Sequence, residues 1–93
     1  MCAEAVYRLA EGVQVRKEKF GLLFYDYRGP RLYFLPSEDL LEDWFFDGKY
    51  TANELVNSIC AERNLPRERA FCQVSRILAL LTSKGLIHEQ SIC

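Results

Sequence analysis

Apolar positions in the first third of the chain predict a three-stranded antiparallel meander. Residues 13–17 alternate apolar and polar side chains, as in a strand with one covered face. Residues 20–27 (FGLLFYDY) are apolar on both faces, and residues 31–35 (RLYFL) form a third apolar run between Pro30 and Pro36. Because prolines stop this last run at both ends, we expect a short strand at the edge of the sheet. Its outer backbone groups would be free to pair with another extended chain.

The second strand is expected to be apolar on both sides of the sheet. Leu22 and Phe24 should point to one face, and Leu23, Tyr25 and Tyr27 to the other. If helices cover only one face, the other exposes more aromatic surface than an isolated monomer normally does. This surplus favours a partner or self-association, and the pattern does not decide which face is outward.

A first helix is predicted over residues 37–47. Ser37 is suited to its N-cap, and apolar side chains recur at helical spacing from Leu40 to Phe45. Gly48 follows as a residue that can adopt the left-handed conformation found at helix ends.

Two further helices are predicted in the second half of the chain. Thr51 and Glu54 form a T-x-x-E capping box at the start of the second helix, which should end near Arg63. The third helix is expected over residues 67–84, with Gly85 as its stop. The chain should then return as an extended segment against the core.

Three strands followed by three helices describe an α+β, winged helix-turn-helix-like fold with a three-stranded antiparallel sheet. Ninety-three residues suffice for one hydrophobic core but leave no length for a second catalytic lobe. Residues 1–93 are therefore predicted to form a single domain.

Composition argues against several functional classes. The chain is 49% hydrophobic and 27% charged, with a net charge of −1, which disfavours a dedicated nucleic-acid binder. No apolar run approaches the ~20 residues that a membrane helix needs, and the N-terminus lacks a basic start followed by an apolar block. We therefore expect a cytoplasmic protein that does not bind membranes.

Patterns typical of catalysis or metal binding are missing from the sequence. The four cysteines (Cys2, Cys60, Cys72 and Cys93) have no CxxC spacing, and Cys60 and Cys72 are interpreted as packing residues within helices. The single histidine, His88, lies near the C-terminus. No nucleophile–histidine arrangement, glycine-rich phosphate loop or paired-carboxylate cleft can be assembled. We therefore expect no enzymatic activity, metal or cofactor.

Several segments resemble a known family. Residues 46–51 (FDGKYT), followed by Glu54-Leu55-Val56, resemble the D-G-x-x-T helix junction of the pyrroloquinoline quinone (PqqD-like) chaperones. These are the prototype of the recognition elements for precursors of ribosomally synthesised, post-translationally modified peptides (RiPPs). Residues 7–9, 13–16 and 31–35 are most similar to mycofactocin-system peptide chaperones, and the likeness extends over residues 7–87. The quinone chaperones usually have Leu-Asn where this chain has Leu35-Pro36, which favours the mycofactocin branch.

The resemblance implies a non-catalytic peptide chaperone for mycofactocin-type redox cofactor biosynthesis. Such a protein binds the leader of a short ribosomal precursor peptide and presents it to a radical S-adenosylmethionine (SAM) maturase. In recognition elements of this type the leader adds to the third strand and lies against the third helix. The implied peptide-binding residues are Arg31, Leu32, Tyr33, Phe34, Leu35, Arg69, Ala70, Gln73, Arg76, Ile77 and Leu80.

Other functions remain open at this point. A winged-helix DNA-binding regulator would insert the third helix into the major groove, but Ile77, Leu80 and Leu81 leave few polar side chains to read bases. A homodimer could use the same edge strand. The acidic block at residues 38–47 is interpreted as solvated, or as a docking site for a basic surface on a partner enzyme.

Overall fold

The structure is a computed structural model that describes residues 4–29, 31–36 and 41–90. Within these ranges the chain forms six strands and two α-helices. The strands are β1 (Val6–Leu9), β2 (Val13–Glu18), β3 (Gly21–Asp26), β4 (Arg31–Leu35), β5 (Asp47–Thr51) and β6 (Ile87–Gln90), and the helices are α1 (Ala52–Arg63) and α2 (Arg67–Ser83). A short 3₁₀ helix, Asp43–Phe46, precedes β5. The predicted α+β class is confirmed, whereas the predicted winged helix-turn-helix arrangement is not.

Strands β2, β3 and β4 form an antiparallel sheet in that order, which confirms the predicted meander with β4 at its edge. Leu22 pairs with Leu35, and Asp26 pairs with Arg31. The two strands approach very closely where β3 begins. A Cβ on Gly21 would lie 1.9 Å from the carbonyl oxygen of Leu35, so this packing requires glycine.

A second antiparallel sheet has the order β5-β1-β6 and was not predicted. Val6 lies opposite Thr51 on one side and opposite Gln90 on the other. The sequence analysis assigned no strand to residues 6–9, because β1 is short and both of its partners are distant in sequence. Once paired, Val6 and Tyr7 are both buried.

The predicted helix over residues 37–47 is wrong for the described part of that segment, and Ser37 to Leu40 lie outside the described residues. Residues 43–46 form the 3₁₀ helix, and the chain then enters β5, which pairs with β1. Two adjacent phenylalanines explain the difference. The Phe45 ring lies 5.9 Å from that of Tyr7 in β1, and the Phe46 ring lies 5.5 Å from that of Phe24 in β3. They pack against different sheets, and the described residues thus contain two α-helices, not the three expected.

Helices α1 and α2 agree with the sequence prediction. The Thr51 hydroxyl accepts a hydrogen bond from the Glu54 amide, and the Glu54 carboxylate accepts one from the Thr51 amide at 2.9 Å, which completes the capping box. Helix α2 buries a stripe at three- and four-residue steps, and Gly85 follows it with a φ of 74°. The stripe consists of Ala70, Val74, Leu78 and Leu81.

One apolar core joins both sheets and both helices. Its largest fully buried apolar side chains are Tyr7, Phe24, Phe45, Leu22, Leu41, Leu78, Leu81, Val56 and Val74. Across residues 4–29, 31–36 and 41–90, no helix has the length and apolar character required to cross a bilayer.

Candidate functional site

A surface groove of about 370 Å³ lies between β4 and the C-terminal end of α2. Arg31, Leu32 and Tyr33 line it from the strand, and Ser83, Lys84 and Leu86 line it from the other side. The Lys84 ammonium group lies 4.7 Å from the centre of the Tyr33 ring, a cation–π contact that joins the two walls.

The strand wall of the groove has a free edge. Among the described strands, β4 pairs only with β3. Its side chains alternate: Leu35 and half-buried Tyr33 lie on the core side, whereas Leu32 and Phe34 are 63% and 44% exposed on the outer side. An added strand would therefore meet a different surface on each face of β4.

A buried carboxylate fixes the groove's position. Asp26 is 1% exposed, and its carboxylate accepts hydrogen bonds from the Arg28 Nε at 2.9 Å and from the Arg31 Nη2 at 2.8 Å. The Arg28 Nη2 also donates to the carbonyl oxygen of Gly85 at 2.8 Å. Asp26 thereby connects β3, the edge strand and the turn after α2.

The same network makes this part of the protein basic. Hydrogen bonds from Arg28, and next from Arg31, hold the pKa of Asp26 well below its usual range, so that the carboxylate is ionised. Arg28 and Arg31 share the negative charge of Asp26, Glu11 adds a second negative charge near Arg28, and Lys84 adds a third positive charge to the groove. An acidic ligand is favoured at this groove.

The helix residues implied by the resemblance lie on the N-terminal side of the groove along α2. Arg69, Gln73, Arg76 and Leu80 follow one another at steps of three or four residues, which places them on one face of the helix. The next step along this face is Lys84, which lines the groove. The face therefore continues from the groove toward the N-terminal end of α2, with Leu80 41% exposed and Ile77 half-buried beside it.

Two of the implied contact residues are not available as side chains on this surface. Ala70 has no exposed surface and belongs to the core, so it cannot touch a bound peptide. Leu35 is also buried, and only its backbone could contribute. Conversely, the sequence prediction missed Ser83, Lys84 and Leu86. The helical stripe itself, extended by four residues beyond Leu80, would have identified Lys84.

The outer face of the β2-β3-β4 sheet is unusually apolar. Leu23, Tyr25 and Tyr27 lie on the side opposite to Leu22 and Phe24, which confirms the alternation expected from the sequence. The face with Leu23 and Tyr25 is the outward one, and the Tyr25 and Tyr27 rings lie 4.2 Å apart on it. Leu32 and Phe34 continue this surface to the β4 edge.

Cysteine and histidine positions give no sign of metal chemistry in the described residues. No group of three or more histidine, cysteine, aspartate or glutamate side chains is arranged there to hold a metal ion. Cys60 is half-buried against the core, whereas Cys72 is exposed, so its predicted packing role is wrong. His88 is exposed in β6.

Comparison with known proteins identifies the family. The model of the peptide chaperone MftB family matches residues 6–88, a span that includes β1 to β5, both helices and the first two residues of β6. No curated protein matches the chain, and no solved structure does. The family match covers most of the sequence. The chain therefore belongs to the peptide chaperone MftB family, a family of non-catalytic peptide chaperones.

Proposed function

We propose that this peptide chaperone binds the leader of a short ribosomal precursor peptide by strand addition to β4 and presents it to a radical SAM maturase in mycofactocin-type cofactor biosynthesis. Family membership supports the peptide-chaperone role. The observation that supports the site is the free edge of β4 beside a basic groove that ends at α2. Strand addition to an exposed edge is a recurrent mode of peptide recognition.

Backbone pairing alone is too weak for this task. A five-residue strand offers a handful of hydrogen bonds with a net value of ~1 kcal/mol each. Micromolar binding requires about 8 kcal/mol. Side chains of the leader must supply the difference, and burial of one large apolar side chain contributes roughly 1.5–3 kcal/mol.

The two faces of β4 suggest how the side chains of the leader are recognised. Alternate leader side chains would lie beside Leu32 and Phe34 on the outer face, where cross-strand apolar pairs would cover surface that is exposed in the free protein. The intervening side chains would point toward Tyr33 and Lys84. An acidic side chain is favoured at that position by the positive charge of the groove.

The first test compares two variants with the same initial exposure. Leu32 and Phe20 are each 63% exposed, but Phe20 precedes β3 and does not line the groove. Leu32→Ser should weaken binding of the synthetic precursor peptide by about tenfold or more, corresponding to loss of one buried apolar side chain. Phe20→Ser should leave the Kd within a factor of about two. Isothermal titration of both variants checks this, and equal losses would contradict strand addition at β4.

A second pair of variants tests the helix side. Leu80→Asp puts a charge on the face that leads to Lys84, whereas Ala61→Asp puts the same charge on an exposed position of α1, which does not line the groove. Only the first should weaken leader binding, and thermal melts of both variants control for folding. Normal affinity of Leu80→Asp would show that the leader does not use this face.

Backbone-amide NMR titrations distinguish the remaining alternatives. Precursor peptide should shift the amides of residues 31–35 and 80–86. A duplex DNA sample should leave them unchanged; shifts along α2 with DNA alone would favour the DNA-binding regulator. A dilution series of the free protein tests pairing of two β4 edges, which would broaden the same amides at high concentration.

A further inference from the structure

An exposed aromatic pair lies outside the β4–α2 groove. Trp44 of the 3₁₀ helix is 38% exposed and Tyr50 of β5 is 45% exposed. Their ring centres are 4.9 Å apart with an interplanar angle of 68°, an edge-to-face arrangement. The segment is firmly attached, because the neighbouring Phe45 and Phe46 are both buried in the core. Trp44 is therefore held at the surface by its neighbours.

Surface depressions border Trp44 on both sides. One has a volume of about 520 Å³ and includes Tyr50, Leu55 and Asp47. The other has a volume of about 340 Å³ and includes Leu9, Asp43 and again Asp47. Trp44 thus forms a ridge between two concave regions, a shape that can accept side chains of a partner on either side.

The charge around this ridge is predominantly acidic. Asp43 and Asp47 make no salt bridge with any residue in the described part of the chain. Glu54 also borders the larger depression, but it is engaged in the capping box of α1. The lining residues include one base, Lys49.

Two nearby charged groups are already engaged. Arg8 donates to the backbone oxygen of Asp47 and to the side-chain oxygen of Gln90. Both acceptors are neutral, so the positive charge of Arg8 offsets part of the acidic charge beside Asp47. Glu42, which precedes the 3₁₀ helix, pairs with Lys17 at 2.8 Å. The carboxylates left for a partner are therefore those of Asp43 and Asp47.

We propose that the Trp44 surface (Asp43, Trp44, Asp47 and Tyr50) is a docking site for an arginine- or lysine-bearing segment of a partner protein. A cationic side chain can lie over the Trp44 or Tyr50 ring, where the aromatic quadrupole attracts it. Asp43 or Asp47 can at the same time accept charge-assisted hydrogen bonds from that side chain. Exposed tryptophan and tyrosine are also the residue types that contribute most to protein interfaces.

Charge distinguishes this occupant from the peptide of the β4–α2 groove. That groove is basic and favours an acidic ligand, whereas the Trp44 surface is acidic and disfavours both an acidic peptide and a nucleic acid. The two surfaces share no lining residue. Both ligands can therefore be bound at once, and the inference does not depend on the proposed leader site.

The test uses Trp44 as its own reporter, because it is the only tryptophan in the chain. The ¹⁵N-labelled full chain is titrated with the peptide acetyl-Gly-Arg-Gly-Arg-Gly-Arg-Gly-amide while the indole N–H resonance is followed. The control peptide carries citrulline at each arginine, which preserves shape but removes charge. The arginine peptide should shift the indole resonance, and the citrulline peptide should not. Equal shifts with both peptides, or shifts confined to β4 and α2, would overturn the inference.

Matched charge removals make the test specific. The double variant Asp43→Asn/Asp47→Asn should weaken binding of the arginine peptide at least tenfold. The control Glu42→Gln/Glu62→Gln removes the same number of charges outside this surface and should change the binding less than twofold. A similar loss in the control would mean that general charge attraction explains the binding. Leader-peptide affinity should be unchanged in the double variant, so failure of the leader site and failure of the Trp44 surface are separate results. Sedimentation of the free protein tests whether a second copy of the chain occupies the Trp44 surface. A dimer that is lost in Asp43→Asn/Asp47→Asn would refute docking of a separate partner.

Discussion

Replacing Gly21 by alanine should separate the end of β4 from β3. A Cβ at this position would lie 1.9 Å from the carbonyl oxygen of Leu35, 2.9 Å from its carbonyl carbon and 3.0 Å from the Cα of Pro36. Ordinary van der Waals contact begins at 3.4 Å, so the oxygen and the new Cβ must move apart by roughly 1.5 Å, the difference between the two distances. All three contacted atoms belong to the backbone, and a side-chain rotation cannot relieve the clash.

The expected cost follows from overpacking and from the lost strand pairing. Overpacking in a well-packed region costs about 1–3 kcal/mol. Moving the strand end also weakens about one backbone hydrogen bond, at ~1 kcal/mol. We therefore expect Gly21→Ala to lower the free energy of unfolding by about 3 kcal/mol.

Urea unfolding followed by circular dichroism measures this change, and Gly29→Ala is the matched control. Gly29 lies in the turn between β3 and β4, has no positive φ, and a Cβ there would meet nothing within 4 Å. Its replacement should be neutral or stabilising by up to ~1 kcal/mol through reduced freedom of the unfolded chain. If the two variants were equally stable, the close approach of β3 and β4 would be incorrect. Under conditions where Gly21→Ala stays folded, leader affinity should also fall, because the β4 edge has moved.

Three further predictions concern stability. Arg28, and next Arg31, lower the pKa of Asp26, so its ionised form stabilises the fold above the usual pKa of 3.8, and this stabilisation is lost as the pH falls below that value. The melting temperature should therefore decline less steeply between pH 5 and 2 for Asp26→Asn than for the wild type. Parallel curves for the two proteins would exclude this role of Asp26. Thr51→Ala removes the N-cap of α1 and should cost about 1 kcal/mol in urea unfolding, whereas no change would indicate that the capping box does not form in solution. Leu78→Ala creates a cavity in the core and should cost about 2–5 kcal/mol; a loss below 1 kcal/mol would be inconsistent with its burial.

Local signals account for the elements that the sequence predicted correctly. Thr51 and Glu54 make a capping box within four residues, and Gly85 ends α2 through its own conformation. The alternation of residues 22–25 follows from the geometry of any strand. Such features depend on near neighbours in the sequence, so they can be identified before the fold is known.

The missed elements depend on contacts between distant segments. β1 has only four residues, and its pairing with β6 joins residues more than 75 positions apart, as in Leu9 opposite Ile87. Helical spacing from Leu40 to Phe45 predicted a helix, but Phe45 and Phe46 pack against separate sheets and β5 begins at Asp47. Tertiary pairing here overrides local propensity.

The sequence was sufficient to predict the strand residues of the candidate site, but not which helix residues lie opposite them. Prolines around residues 31–35 indicated the edge strand directly. Which turn of α2 approaches that strand depends on how the helix crosses the sheet, and periodicity does not give that geometry. The structure brings Lys84 and Leu86 to β4, whereas the helix residues implied by the resemblance lie closer to the N-terminal end of α2.

The pairing of β1 with β6 brings the two ends of the described chain together, with Val6 opposite Gln90. A short linker could therefore join these ends in a circular permutant, with a new opening placed at the α1–α2 turn, residues 64–66. The strands nearest to the two ends, β1 and β6, belong to the β5-β1-β6 sheet, which does not include β4. The architecture thus allows the protein to be tethered through its ends while the edge strand remains open to solvent.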